Sequence, residues 1–145
     1  AAFAGAIAAR IADHGGAALI VDYGYDRPTD TGADTFQAVR EHAYVDPLSH
    51  PGTADLTAHV DFGALSDAAT DIGAATSKLI TQGDLLARLG IGARAASLAR
   101  AAPHQTELVE AALKRLTDAD EMGSLFKALA IYPVGAPPPP GFEDR

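Results

Sequence analysis

The sequence predicts an α/β fold built around a buried parallel strand, and three observations carry that reading. An amphipathic stretch from Ala2 to His14 halts at Gly15-Gly16 and gives way to an apolar run, Ala17-Ala18-Leu19-Ile20-Val21. That run has the continuous hydrophobic character of a strand covered on both faces, and it stops at the polar turn Asp22-Tyr23-Gly24. A second apolar run, Ser124 to Tyr132, closes a series of helical patterns near the other end of the chain. Helix, glycine turn and buried strand together make the αβ half-unit of a doubly wound sheet.

The elements follow in order. Phe3, Ile7 and Ile11 recur every four residues among alanines, which gives the first helix one apolar stripe on a good helix former. After the strand, residues 24–34 hold Pro28 and Gly32 among Asp and Thr and read as a loop. Phe36 to Arg40 alternates as a short strand; Pro47, Pro51 and Gly52 then interrupt regular structure until alternation resumes at Leu56 to Val60. The prediction is a hairpin-like polar excursion after the strand at 17–23. Asp61 is placed to cap a helix running to about Gly73, with Leu65, Ala68, Ala69 and Ile72 on its inner face.

Ala75 to Ile80 reads as a strand and Gln82 to Leu89 as a short helix stopped by Gly90. A helix over Ala93 to Ala101 follows. Another starts at Pro103, with Leu108, Ala111, Ala112 and Leu116 on one side. Residues 1–132 are expected to form one domain portion, and 133–145, with Pro137 to Pro140, an extended and solvated tail.

Composition narrows the function classes. At 145 residues and 48% hydrophobic the chain can bury a core. A formal charge of −8 argues against a nucleic-acid backbone as partner, which calls for a basic face. It suits a cationic protein acceptor, and equally it keeps a protein soluble. Without cysteine there is no disulfide, thiolate metal site or cysteine nucleophile. No run approaches the 18 to 20 or so apolar residues of a membrane span.

Between Thr35 and Phe62 the sequence concentrates Arg40, Glu41, His42, Asp46, His50, Asp55, His59 and Asp61, and this stretch reads as the working surface. Imidazole and carboxylate suit zinc or iron, but only His59-Val60-Asp61 is closely spaced, and a helix cap needs the same pair, so no metal is expected. Gly90 to Ala95 matches a G-x-G-x-x-A pattern by letters, yet it follows a helix where a nucleotide loop must follow a strand. Asp22, at a strand end, can either orient a cation or hold a turn. Thr35, Gln37, Arg40, Thr57 and Gln82 can equally satisfy backbone groups.

Ala-Leu-Ile-Val-Asp-Tyr-Gly at 18–24, Thr-Phe-Gln-Ala-Val-Arg-Glu-His at 35–42, Pro-Gly-Thr-Ala-Asp-Leu-Thr-Ala-His-Val-Asp-Phe at 51–62, Thr81-Gln82, and Met122-Gly123 with Phe126-Lys127 resemble the C-terminal part of MidA-like proteins. These are S-adenosylmethionine-dependent methyltransferases related to the mitochondrial complex I assembly factor. The resemblance spans roughly residues 15–132. It implies a class I, Rossmann-like sheet whose last strand, 124–132, inserts antiparallel between 17–23 and 75–80. It also implies S-adenosylmethionine as cofactor, bound mainly by residues upstream of Ala1, and a protein arginine of a complex I subunit as acceptor. The setting it implies is bacterial cytoplasm or the mitochondrial matrix.

For such a reaction the chemistry asks for carboxylates to orient a guanidinium and a base to take its proton. Asp22, Asp55 and Asp61 are the orienting candidates, and His42 or His59 the base, since an unperturbed histidine titrates near neutrality. The competing expectation is a non-catalytic module that docks a respiratory-complex subunit. Nothing at Ala17 to Val21 protects a strand edge, with no Pro, Lys or inward charge, so self-association through that edge is expected.

Overall fold

The computed structural model describes residues 2–27, 35–49 and 51–143. Helix α1 (Ala2–His14) leads through Gly15 and Gly16, both at positive φ, into strand β1 (Ala18–Tyr25). Strands β2 (Gln37–Arg40), β3 (Ala43–Val45) and β4 (Asp55–Thr57) form the excursion. The chain then runs through β5 (Val60–Asp61), α2 (Phe62–Thr70), β6 (Ala74–Thr76), β7 (Ile80–Thr81) and α3 (Gln82–Arg88). It continues with α4 (Ile91–Ala101), a 3₁₀ turn at Pro103–Gln105, α5 (Thr106–Thr117), α6 (Met122–Leu125) and β8 (Phe126–Pro133).

β8 lies at the centre of the main sheet, whose order is β5-β1-β8-β6 with β7 also paired to β8. It is antiparallel to β1, with Ala18 opposite Ile131 and Tyr23 opposite Phe126. On its other side it is antiparallel to β6 and β7. The expected insertion of the last strand between 17–23 and 75–80 is therefore present. The single strand expected over 75–80 is instead two short pieces. Between them Ser77 closes the gap: its N–H donates to the Ala130 carbonyl, and its Oγ accepts from the Ala130 N–H.

Alternation along β1 and β8 sorts side chains onto two layers. Ala18, Ile20 and Ile131 pack with Ala8 and Ile11 of α1, Ala69 of α2 and Ala74 of β6 in one core. Ala128 and Ala130 face the other way, against Leu85 of α3 and Phe142. The tail expected to be solvated is thus anchored. Phe142 is buried, and the Gly141 carbonyl accepts from Arg88 at 3.2 Å, because a chain with few large side chains on this layer gains by folding an aromatic ring onto it.

The same layer is otherwise thinly covered. Leu19 is 57% and Val21 41% exposed, although both belong to the run that reads as buried on two faces. Along Ala18 to Tyr23 β1 has β8 on one side and, among the described residues, no strand on the other; its parallel partner β5 meets it only at Gly24 and Tyr25. The accessible surface, 9391 Å², exceeds the roughly 7,000 Å² of a compact monomer of this mass.

Ile72, expected on the inner face of α2, lies beyond the helix end and is half exposed. Part of the loop at 24–34 falls outside the described residues. Where the chain leaves β1, Arg27 makes a bidentate contact to Asp67 of α2, both bonds 2.9 Å. That pairing raises the guanidinium's proton affinity and holds the Asp67 carboxyl below its usual range.

Candidate active site

The excursion folds into a separate antiparallel sheet of order β3-β2-β4 that stands beside the carboxyl end of β1. Its register decides which side chains look inward. Gln37 pairs with Thr57, and Val39 pairs with both Tyr44 and Asp55, so these five residues share one face. Ala38, Leu56 and Val45 share the other. Between the first face and the main sheet lies a cavity of about 260 Å³, whose far wall is Tyr23, His59 and Leu125.

His59 is half buried and sits on the short link between β4 and β5. Its backbone N–H donates to Thr35 Oγ1 at 3.2 Å, which ties the link to the start of the excursion. Its ring meets Tyr23 edge-on, centroids 5.7 Å apart and planes at 75°. Tyr23 is held from the other direction by Phe126, again at 5.7 Å and nearly perpendicular. Two T-shaped contacts fix the Tyr23 ring between the sheet and the histidine.

The five candidate residues fall in different places. His59 lines the cavity, and Asp55 lies exposed on the same face of the small sheet, beyond the cavity wall. Asp22 is on the opposite face of β1 from Tyr23, across from Lys127 in register. Its carboxylate accepts from the Tyr23 N–H at 2.8 Å, and it lies within β1, so the polar turn expected at Asp22-Tyr23-Gly24 is instead strand that runs on to Tyr25. Asp61 caps α2, accepting from the Ala64 N–H at 2.8 Å. His42 is exposed at the tip of the β2–β3 turn, where it and Glu41 have φ of 64° and 51°. His50 lies outside the described residues. Among the described residues no three His, Cys, Asp or Glu side chains are grouped to hold a metal.

Tyr44 and Leu125 belong to the cavity and drew no functional reading from the sequence, and Gln37 and Thr57 read there as backbone partners. The missing signal was the turn. Two residues at positive φ between Arg40 and Ala43 make a tight two-residue hairpin, and that connection is ordinarily written Asn-Gly or Asp-Gly. Glu-His disguised it. With the turn recognised, alternation alone puts Tyr44 beside Val39.

A largely apolar, aromatic-walled cavity with a few polar groups at the carboxyl end of β1 is where open α/β sheets place ligands. The chain belongs to a methyltransferase family: a family model described as "Putative S-adenosyl-L-methionine-dependent methyltransferase" matches residues 1–80. It is 40% identical over 131 residues to the Drosophila melanogaster protein named protein arginine methyltransferase NDUFAF7 homolog, mitochondrial, covering 89% of this chain and 29% of that one. It is 38% identical over 147 residues to protein arginine methyltransferase NDUFAF7, mitochondrial, of Xenopus tropicalis, covering 94% and 33%. The chain thus spans about a third of the length of these relatives.

Two crystal structures of Burkholderia thailandensis proteins are similar to it at 27% identity. One, in native form, has a TM-score of 0.82 over 99% of this chain and 37% of its own. The other, bound to S-adenosyl-homocysteine, has a TM-score of 0.81 over 99% and 36%.

The two strand-to-helix junctions among the described residues are filled by the chain's own groups. At the start of α2 the Asp61 carboxylate occupies the cap, and the Gly63 N–H donates to the Asp26 carbonyl at 2.6 Å. At the start of α3 Thr81 Oγ1 accepts from the Asp84 N–H, and a Cβ on Gly83 would meet the Thr117 carbonyl at 2.8 Å. Gly90, heading the G-x-G-x-x-A match, joins α3 to α4 with φ 83° and follows no strand.

Proposed function

We propose that this chain is the acceptor-side part of an S-adenosylmethionine-dependent methyltransferase acting on a protein nitrogen, an arginine of a respiratory complex I subunit. The observation that carries the proposal is His59 in the wall of the cavity at the carboxyl end of β1, held against Tyr23, in a chain 38–40% identical to named protein arginine methyltransferases. The donor supplies an electrophilic methyl group. Its cradle is contributed by sequence beyond these residues, in keeping with relatives three times as long.

This chain's own residues do two things. Gln37 and Thr57 offer acceptor oxygens to the incoming guanidinium, and Asp55 on the same face orients it by charge. As the acceptor nitrogen gains its methyl it gives up one N–H proton to the His59 imidazole. In this scheme Asp22 bonds the Tyr23 backbone within β1, Asp61 caps a helix and His42 tops a hairpin. The compartment proposed is the bacterial cytoplasm or, in a eukaryote, the mitochondrial matrix where the relatives' names place them in mitochondria.

Isotopic methyl transfer from S-adenosylmethionine to a complex I subunit, with the full-length protein and its His59→Asn variant, tests the reading. Transfer by the former and near loss by the latter are expected, and no transfer by the full-length protein sinks it. A second reading, a docking module without chemistry, draws on one observation: an apolar groove of about 250 Å³ between α4 and α5, two helices without a buried residue. It predicts stable capture of the subunit by a protein that transfers no methyl.

A further inference from the structure

We infer that Tyr23 is the positioning residue for His59: backed by Phe126, its ring aims the imidazole at the cavity, a task that a hydrogen bond ordinarily performs for a catalytic base. The inference rests on the acceptor reading of the cavity given above and adds to it the means by which the proton-accepting group is held.

The backbone brings the two rings together. β1 and β5 run parallel with Gly24 beside Val60, and a Cβ on Gly24 would fall 2.1 Å from the Val60 carbonyl oxygen. Only a residue without a side chain lets the strands approach this closely. One residue back along each stretch stand Tyr23 and His59. The Thr35 hydroxyl accepts the His59 N–H, which fixes the main chain there and leaves the ring to turn about its side-chain bonds.

What the ring meets is aromatic. Tyr23 contacts it with centroids 5.7 Å apart and planes at 75°. Tyr23 is also the register partner of Phe126 across β1 and β8, and their rings meet at 5.7 Å and 86°. A directly opposed cross-strand pair is held by the ladder of the main sheet, so the Tyr23 ring has a rigid support. Leu125, the residue before Phe126, lines the same cavity. The junction of α6 with β8 therefore supplies both a piece of the wall and the backing of the ring that aims the histidine.

A base of this kind usually has its second nitrogen tied to a carboxylate or a carbonyl, which sets tautomer and direction together. Among the described residues neither ring nitrogen of His59 has a hydrogen-bond partner. An edge-to-face contact orients the plane of the ring and leaves both nitrogens available. One can take the acceptor's proton while the other releases its own to water. Such support depends on the shape of the Tyr23 ring and not on its hydroxyl.

The test is steady-state methyl transfer by the full-length protein, read together with NMR of the His59 ring protons. Tyr23→Leu should lower kcat about ten-fold with KM for the acceptor little changed, short of the hundred-fold or so that an ångström of misplacement can cost. It should also move the His59 ring resonances. Tyr23→Phe, which keeps the ring and drops the hydroxyl, should recover most of the lost rate and return the resonances close to those of the parent. Phe126→Leu, acting on the histidine through Tyr23, should give a smaller loss and add nothing on top of Tyr23→Leu. If melting curves show Tyr23→Leu to be unfolded, Phe126→Leu with the same two readouts decides. Parental kcat in the folded leucine variants, a loss that Tyr23→Phe does not recover, or a loss with unmoved resonances overturns the inference. A parent that transfers no methyl sinks the enzyme proposal instead, and the resonances then decide alone whether Tyr23 holds the ring.

Discussion

Tyr23 and His59, one near the carboxyl end of β1 and the other on the far side of the excursion, meet edge to face at 5.7 Å and join the main sheet to the small one. The contact makes the histidine's position a property of the sheet, so that changes in either partner are felt at the cavity.

His59→Asn in the full-length protein should lower kcat for methyl transfer by about 100-fold, the usual lower bound for losing a positioned base, with KM for the acceptor little altered. Asp22→Ala, whose side chain is on the other face of β1, should leave kcat close to that of the parent. Steady-state isotopic assays of the two variants side by side check this. A larger loss from Asp22→Ala than from His59→Asn would reverse the assignment.

The 145-residue chain alone should show no saturable binding of S-adenosylmethionine in a calorimetric titration. Both strand-to-helix junctions are occupied by the chain's own groups, at Asp61 with Gly63 and at Thr81 with Gly83. Saturable binding would place the cofactor cradle within these residues after all.

Isolated, the chain should self-associate. Leu19 and Val21 are exposed beside a strand edge that has no partner among the described residues, and about a third more surface is accessible than a compact monomer of this mass shows. Sedimentation velocity of the chain at several concentrations reads this directly, and a monodisperse monomer that melts cooperatively would contradict it.

Acid should remove the contribution of the Arg27–Asp67 contact. The folded-state carboxyl of Asp67 is lowered, first by its hydrogen bonds to Arg27, so its stabilisation is present above the unfolded value of about 3.9 and is lost as pH falls through the folded value. Both side chains are more than half exposed, which keeps the effect small. Melting temperatures of the parent and Asp67→Asn should differ slightly at neutral pH, begin to close near the unfolded value of about 3.9 and converge only once pH has fallen through the lowered folded-state value.

Much of this fold was legible because its long elements carry periodic patterns. The stripe of Phe3, Ile7 and Ile11 gave α1, and the apolar run at 17–21 gave β1. The resemblance to MidA-like proteins supplied what pattern cannot, the place of β8 between β1 and β6. What pattern misjudged was long-range cover. Phe142 reads as part of a solvated proline tail and is buried, because its partners Leu85 and Ala128 are distant in sequence. Leu19 and Val21 read as covered and are exposed for the converse reason. In the candidate site, the stretch 35–62 was recognisable by its density of polar groups, yet which of them converge depended on the register of the small sheet. That register is fixed by a Glu41-His42 turn without the customary glycine.

The central position of β8 has a consequence for how the protein is made. Every strand that β8 joins precedes it in the chain, so during synthesis β1 leaves the ribosome and must wait through more than the whole helical segment before its neighbour emerges. Contacts of such wide sequence separation form slowly. For that interval the apolar edge of β1 is a strand without a ladder, the kind of surface on which nascent chains aggregate and chaperones act.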